Sequence, residues 1–379
     1  MKIGIITSHF CYIRSNYGSL LQNFALQCIL KENGMIPLLI KEGEKPSYLT
    51  LFKQYLYRLK RRIWRKIGKE LPFDILEFNQ THPRCFDVFI EKELNCTANI
   101  IDKNKIEHGN INADCYVVGS DQVWTLPDFS KLLCFAPPHK RIAYAASANW
   151  GKQTSSWFEV ARTSFPLFAG VSVREKEGLD ICKKAGCFNV KVVLDPTLLL
   201  NKDKYLSLIS EKKNIFQSKT ILGYFLNIDS LVSIPWNEYL DMCNELNSQS
   251  AVIPLQGSER CIPGQYIFTP DPYEFLQAYR DCACVVTNSF HAVVFSIIFE
   301  KPFIALEQDG DTAIQNCRIQ NLLDLVGLQS RIYRRGKDSM CHLMNDPIDW
   351  KTVNEKIKIA RQESLAFLLN AVNKAKISN

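Results

Sequence analysis

The sequence predicts an α/β chain built as two doubly wound halves facing one another across a cleft. Three observations predict it. Short apolar runs alternate with stretches of helical spacing. The alternation pauses near residue 205 and restarts at Thr220. Polar clusters follow directly on several of the apolar runs, where parallel sheets place their ligands. At 379 residues the chain has room for two to three domains, at about 150 residues each. With 46% hydrophobic and 22% charged residues it is globular, which excludes a disordered or low-complexity protein.

Taken in order, Ile3 to Thr7 is a first strand, followed by a polar loop and by Leu20, Leu21, Phe24, Ala25, Cys28, Ile29 and Leu30 at helical spacing. Further strands are Pro37 to Ile40, Cys115 to Val118, Arg141 to Ala145, Gly170 to Val173 and Val190 to Leu194. In the second half Thr220 to Leu226, Ala251 to Leu255, Cys284 to Val286 and Pro302 to Leu306 are strands. Between them Trp236 to Asn247, Tyr273 to Tyr279 and His291 to Phe299 are helices. Continuous apolar strands alternating with helices mean parallel sheets covered on both faces. The expected division is residues 1–205, residues 206–345, and a last helix over about 350–376 free to cross back to the first half.

Several classes are disfavoured. The 14 cysteines are scattered, with no Cys-x-x-Cys, so neither a zinc site nor a disulfide framework is expected. No secretory leader precedes the first strand, and the expected location is the reducing cytoplasm. Residues 282–299 carry no formal charge, but Thr287-Asn288-Ser289 interrupts them, so a strand, a turn and a helix are expected in place of a membrane span. Gly-x-Gly-x-x-Gly and the P-loop string are absent, against NAD enzymes and P-loop NTPases. Asp309-Gly310-Asp311 is a string common by chance, and no metal or other cofactor is expected.

Net charge is +7, and eight basic residues with no acid lie between Lys53 and Lys69. Without those eight the chain is close to neutral. Phe52, Leu56, Leu59, Ile63 and Ile67 fall on one stripe of a basic helical insertion at about 50–70. Two readings stand open. The stripe packs on the domain and leaves the cations in water, or it lies on an anionic membrane surface. No nucleic-acid module accompanies the patch, so nucleic acid is not an expected partner.

The strand-end rule selects the candidate site. His9 follows the first strand, and Asn16, Tyr17 and Gly18 open the next helix. Ser120 and Asp121 follow the third strand, Ser147 the fourth, Arg174 the fifth and Asp195 the sixth. In the second half Asn288, Ser289, Phe290 and His291 lead from a strand into a helix. Arg174 is an anion clamp, or else a salt-bridge partner of Glu175 or Glu177. His291, at a helix N-terminus that favours anions, is a proton donor, or else a hydrogen-bonded core histidine.

Six ordered blocks then carry a resemblance: Asn16-Tyr17-Gly18-Ser19-Leu20-Leu21-Gln22-Asn23, Val118-Gly119-Ser120-Asp121-Gln122-Val123-Trp124, Tyr144-Ala145-Ala146-Ser147, Val171-Ser172-Val173-Arg174-Glu175, Leu194-Asp195-Pro196-Thr197 and Ser289-Phe290-His291-Ala292-Val293-Val294. The chain resembles the polysaccharide pyruvyl transferase family over nearly its whole length. The resemblance implies a GT-B-like fold of two Rossmann-like domains. It also implies transfer of pyruvate from phosphoenolpyruvate to two hydroxyls of a glycan acceptor, in a polysaccharide or lipid-linked precursor. An Arg at the position of Arg174 contacts the donor, and the family's Arg-Leu-His block aligns with Ser289, Phe290 and His291, with His291 the general acid. Ser289 thus replaces a family Arg. Arg318 in Asn316-Cys317-Arg318-Ile319, or loops and helix N-termini of the first half, are the candidates to compensate, and the third alternative is a different donor. Asp121 and His9 are the candidates to deprotonate the acceptor. A nucleotide-sugar glycosyltransferase on the same scaffold and a catalytically silent glycan-binding relative are the alternatives.

Overall fold

The computed structural model describes residues 1–43, 48–66, 81–102, 106, 111–126, 128–209, 213–228, 230–255 and 258–377. Of the basic insertion, residues 67–70 therefore lie outside the described residues.

The first lobe carries β1 (Lys2–Ile6) and β2 (Ile36–Leu39), a separate two-stranded pair of β3 (Glu42–Gly43) and β4 (Ile101–Asp102), and β5 (Cys115–Val118), β6 (Arg141–Ala146), β7 (Gly170–Val173) and β8 (Val190–Val192). Its six-stranded sheet runs β2-β1-β5-β6-β7-β8, parallel throughout. The second lobe carries β9 (Thr220–Tyr224), β10 (Gln249–Ile253), β11 (Cys284–Thr287), β12 (Phe303–Leu306) and β13 (Ile332–Tyr333), in the order β10-β9-β11-β12-β13, again parallel. Strand order reverses between β1 and β5 in one sheet and between β9 and β11 in the other. Such reversal leaves a crevice beyond the carboxyl ends of the strands.

β5, β9, β11 and β12 are buried at every residue, as a sheet covered on both faces requires. The helix Phe290–Ile298 is likewise buried along its whole length. It packs in a core that draws on both lobes. Tyr17 joins them most directly: its ring stacks on Phe275 at 4.3 Å and 6°, and its hydroxyl donates to the Pro270 carbonyl at 2.5 Å. Such a stack contributes about 0.5–1.5 kcal/mol beyond its area.

The Trp350–Ile377 helix returns to the first lobe. Arg361 donates to the carbonyls of Leu198 and Leu200 at 2.7 and 3.1 Å, and the Leu194 amide donates to the Ser364 hydroxyl at 2.9 Å. A Cβ on Gly170 would stand 2.7 Å from that of Ala371, so the helix backbone rests against the start of β7.

The Tyr48–Lys66 helix is amphipathic as read, but its apolar stripe is not packed on the domain. Phe52, Leu56, Leu59 and Ile63 are all exposed. Among the described residues no helix is long and apolar enough to cross a membrane.

Candidate active site

Both switch points open onto one cavity of about 280 Å³. From the first lobe come Ser8 after β1 and Asp121 after β5, with Tyr12, Asn16 and Gln122 beside them. From the second come Leu226 and Asn227 after β9 and Asn288, Ser289, Phe290 and His291 after β11, with Gln308, Gln315 and Arg318 closing the wall.

The turn after β5 is shaped by Gly119, which has φ +118° and where a Cβ would fall 2.1 Å from the Tyr144 carbonyl oxygen. Asp121 follows at φ +76°, a conformation aspartate tolerates better than most residues. This turns its carboxylate to accept from the Ser8 hydroxyl at 3.1 Å and from the Gln122 amide at 2.9 Å. Asn16 caps the Tyr17–Glu32 helix by accepting from the Ser19 amide at 3.0 Å, a bond worth about 1 kcal/mol. Its own amide donates to the Tyr12 hydroxyl at 2.8 Å. Burial, and then Asp121, push that hydroxyl well above its ordinary range.

Beneath the cavity Asp195 gathers the charged groups. One of its oxygens accepts from Ser120 Oγ at 2.9 Å and Arg174 Nη1 at 3.0 Å, and faces His291 Nε2 at 3.5 Å. The other accepts from the Thr197 amide and hydroxyl at 3.0 and 2.6 Å. Burial alone would push this carboxyl up, but His291, Arg174 and Thr197 outweigh it and hold it well below the usual carboxylate range. Arg174 also donates to Glu175 at 2.8 Å and lies with its Cζ 4.4 Å from the Phe290 ring centroid. Against its burial, Glu175, Asp195 and Asp121 keep it firmly charged. Its Nη2 is buried and has no hydrogen-bond partner among the described residues.

Arg174 and His291 thus meet on the same carboxylate but open onto different spaces. Arg174 lines a second cavity of about 240 Å³, walled mainly by apolar side chains including Val192, Leu194, Leu198, Leu322 and Leu325. Phe290 and Arg318 line both cavities and form the partition. Arg318 is the guanidinium that shares the polar cavity with His291 and Ser289. Burial, and then the neighbouring Arg174, push its pKa down. It donates to the Gln315 carbonyl at 3.3 Å and to the Gln315 side chain. With the Gln122 amide oriented to satisfy both of its ends, Gln122 accepts from Arg318 at 2.7 and 3.0 Å across the lobe boundary. Among the described residues Arg318 has no carboxylate partner.

Gly18 makes room for the imidazole. A Cβ there would lie 2.2 Å from His291 Nδ1, so only glycine lets the first-lobe helix approach this closely. Gly18 is therefore a seat for His291, and it does not itself line the cavity. Four other candidates of the first lobe are also corrected. Tyr17 is spent on packing the lobes together. Ser147 donates to Glu175 at 2.8 Å, deep in the core. Ser120 donates to Asp195 and is fully buried. His9 lies with Glu42 and Asp128, ligand atoms within 4.8 Å of one another, and not on the cavity. That trio has metal-ligand chemistry, but the Lys131 ammonium already pairs with Glu42. In the second lobe Asn288 lines the cavity, yet its amide is committed to the Leu226 backbone, accepting at 2.6 Å and donating at 2.8 Å. Ser289 is the N-cap of the Phe290–Ile298 helix without a side-chain cap bond, leaving first-turn N–H groups at the cavity wall. The Asp309 and Asp311 carboxylates are exposed, and Asp311 reaches Lys152 at 3.5 Å.

Tyr12 and Gln315 are not among the strand-end candidates, and Asp195, Glu175 and Gln122 stand at strand ends but receive no role from the sequence. Asp195 had a signal, since the strand-end rule and one of the six blocks both contain it.

The family model described as polysaccharide pyruvyl transferase matches residues 16–310, most of the chain. The chain belongs to the polysaccharide pyruvyl transferase family. It is accordingly a transferase. No curated protein sequence matches it. Among solved structures it is similar to a UDP-N-acetylglucosamine 2-epimerase from Rickettsia bellii, at 12% identity and TM-score 0.53 over 98% of this chain and 97% of that one. It is also similar to a UDP-GlcNAc 2-epimerase from Neisseria meningitidis, at 11% identity and TM-score 0.50 over 100% and 98%. These likenesses establish a GT-B-like architecture of two α/β lobes.

Proposed function

We propose that this transferase moves pyruvate from phosphoenolpyruvate to two hydroxyls of one sugar in a polysaccharide or lipid-linked glycan precursor, forming a cyclic ketal and releasing phosphate. The observation that carries the reading is that His291 and Arg318 line the same polar cavity in a chain of this family.

The donor carries a carboxylate and a phosphate, the latter about −1.5 to −2 by analogy with phosphoserine. In this reading Arg318, which lacks a carboxylate partner among the described residues, takes one anionic group through its planar fork. The first-turn amides after Ser289 take the other. His291 gives a proton to the donor's methylene carbon, which becomes the ketal methyl, and cationic character develops at C2. One sugar hydroxyl adds to C2 and loses its proton to Asp121. The bond from C2 to the phosphate oxygen breaks with its electron pair leaving on phosphate, which takes the proton from Asp121. The second hydroxyl closes the ring at C2 and returns its proton to His291. Arg174 acts through Asp195, which orients the imidazole, and its free Nη2 is a reserve donor toward the partition. Phosphoenolpyruvate is a co-substrate, and neither metal nor organic cofactor enters the scheme. The reducing cytoplasm suits a chain with 14 unpatterned cysteines.

The test is phosphate release with phosphoenolpyruvate over a panel of lipid-linked glycan acceptors. Release that requires both donor and acceptor supports the reading. A thermal shift by UDP- or GDP-sugars with none by phosphoenolpyruvate would replace it with glycosyl transfer. Binding of glycan with no turnover of either donor would leave a silent relative.

A further inference from the structure

We infer that the Tyr48–Lys66 helix is a docking face for an anionic lipid surface, a role that does not depend on the pyruvyl-transfer reading. At about 100° per residue, Tyr55, Leu59, Phe52, Ile63 and Leu56 fall in that order within about a quarter turn of the helix. All five are between 41% and 62% exposed. Arg62 borders one edge of this arc and Lys60 and Lys53 the other, each exposed as well. Arg61, on the opposite side, is buried. The helix is therefore inverted relative to a domain-packed one, with an arginine inward and the apolar stripe outward. Among the described residues no other helix or strand carries more than one exposed large apolar side chain, so the patch is not ordinary surface scatter.

The charge pattern selects the occupant. Seven basic residues and no acid lie between Tyr48 and Lys66. A second copy of the chain would bring the same seven cations against themselves, which repels. A nucleic acid would engage the cations and leave the intervening apolar stripe with nothing to bury against. A bilayer with anionic headgroups satisfies both, taking the stripe into the boundary between headgroup and acyl chain while the flanking cations meet phosphates. The Lys60 ammonium lies 4.5 Å from the Trp64 ring centroid, and an indole of this kind prefers the interfacial layer.

Flotation of the full chain with vesicles tests the inference. We expect partition onto vesicles of phosphatidylcholine with phosphatidylglycerol, little onto phosphatidylcholine alone, and weakening as salt rises. Lys60→Glu with Arg62→Glu should reduce partition about 25-fold or more, at about fivefold per lost cation. Phe52→Ser with Ile63→Ser should cost about tenfold or more per side chain. Both double variants should melt with the wild type, because these side chains leave no core contact behind. Four results would overturn the inference: no binding to anionic vesicles, equal binding to neutral ones, binding indifferent to Phe52→Ser with Ile63→Ser, or a concentration-dependent dimer that this double variant abolishes. None of these bears on phosphate release, so the two readings fail separately.

Discussion

On one side of Phe290 and Arg318 lies the polar cavity of His291, of about 280 Å³, and on the other an apolar one of about 240 Å³ that Arg174 lines. The two guanidiniums are close enough for Arg174 to depress Arg318, yet their surroundings are opposite. Arg174 is held by Glu175 and Asp195, while Arg318 meets only amides and a carbonyl among the described residues. A cation already neutralised by the protein maintains geometry. One left with neutral partners keeps its attraction for an incoming anion. In the proposed function, Arg318 offsets the missing family Arg at Ser289 from a different helix.

Four substitutions tell the two guanidiniums and the two cavities apart. His291→Ala removes the proton donor of the polar side, and turnover should fall about 10²- to 10⁴-fold in a protein that stays folded but melts lower, because the buried Asp195 carboxylate loses a partner. Full activity in that variant would end its role. Arg174→Ala abandons two buried carboxylates, so chemical denaturation should show a loss of about 3–5 kcal/mol. A mild effect there would mean that the knot is not structural.

Asp195→Asn should cost about 1.5–3 kcal/mol at neutral pH, the scale of hydrogen bonds to a charged group. Because the native carboxyl is held below its ordinary value, the stability it supplies is present above the unfolded value of about 3.9. It is lost as pH falls toward the native value. The gap in melting temperature between wild type and Asp195→Asn should therefore be wide at pH 7 and begin to close only below about pH 4. A gap independent of pH would contradict the assignment. Arg318→Ala leaves no buried acid behind, so stability should move by less than about 1 kcal/mol. The KM for phosphoenolpyruvate should rise about 10- to 100-fold, the value of charge-assisted bonds to an anion. If Arg174→Ala and Arg318→Ala behave alike, the distinction between the two cavities collapses.

Much of this was legible in the residues. Continuous apolar runs closed by polar or glycine residues place β1, β5, β7 and β11 within a residue or two, because a strand buried on both faces admits little else. The β3 and β4 pair and β13 span two residues each, too short for any periodicity to register. Strand ends pointed to Asp121, Ser289 and His291, which do line the cavity. The same rule overreached at Tyr17 and Ser147, since helix phase and neighbouring acids decide whether such a side chain looks outward. Asp195 went unassigned because its partners Ser120, Arg174 and His291 lie far from it in sequence, and only folding joins them. Whether the basic stripe packed inward stood open, as amphipathicity gives a face but not what the face meets.

The Trp350–Ile377 helix follows the second lobe in the chain but is fastened to the first through Arg361 and Ser364. No single scission can therefore yield two whole lobes: a cut near residue 210 strips the front piece of its clasp and leaves the rear piece with an orphaned arm. Complementation of split halves should succeed only when the last helix travels with a fragment that can hand it back.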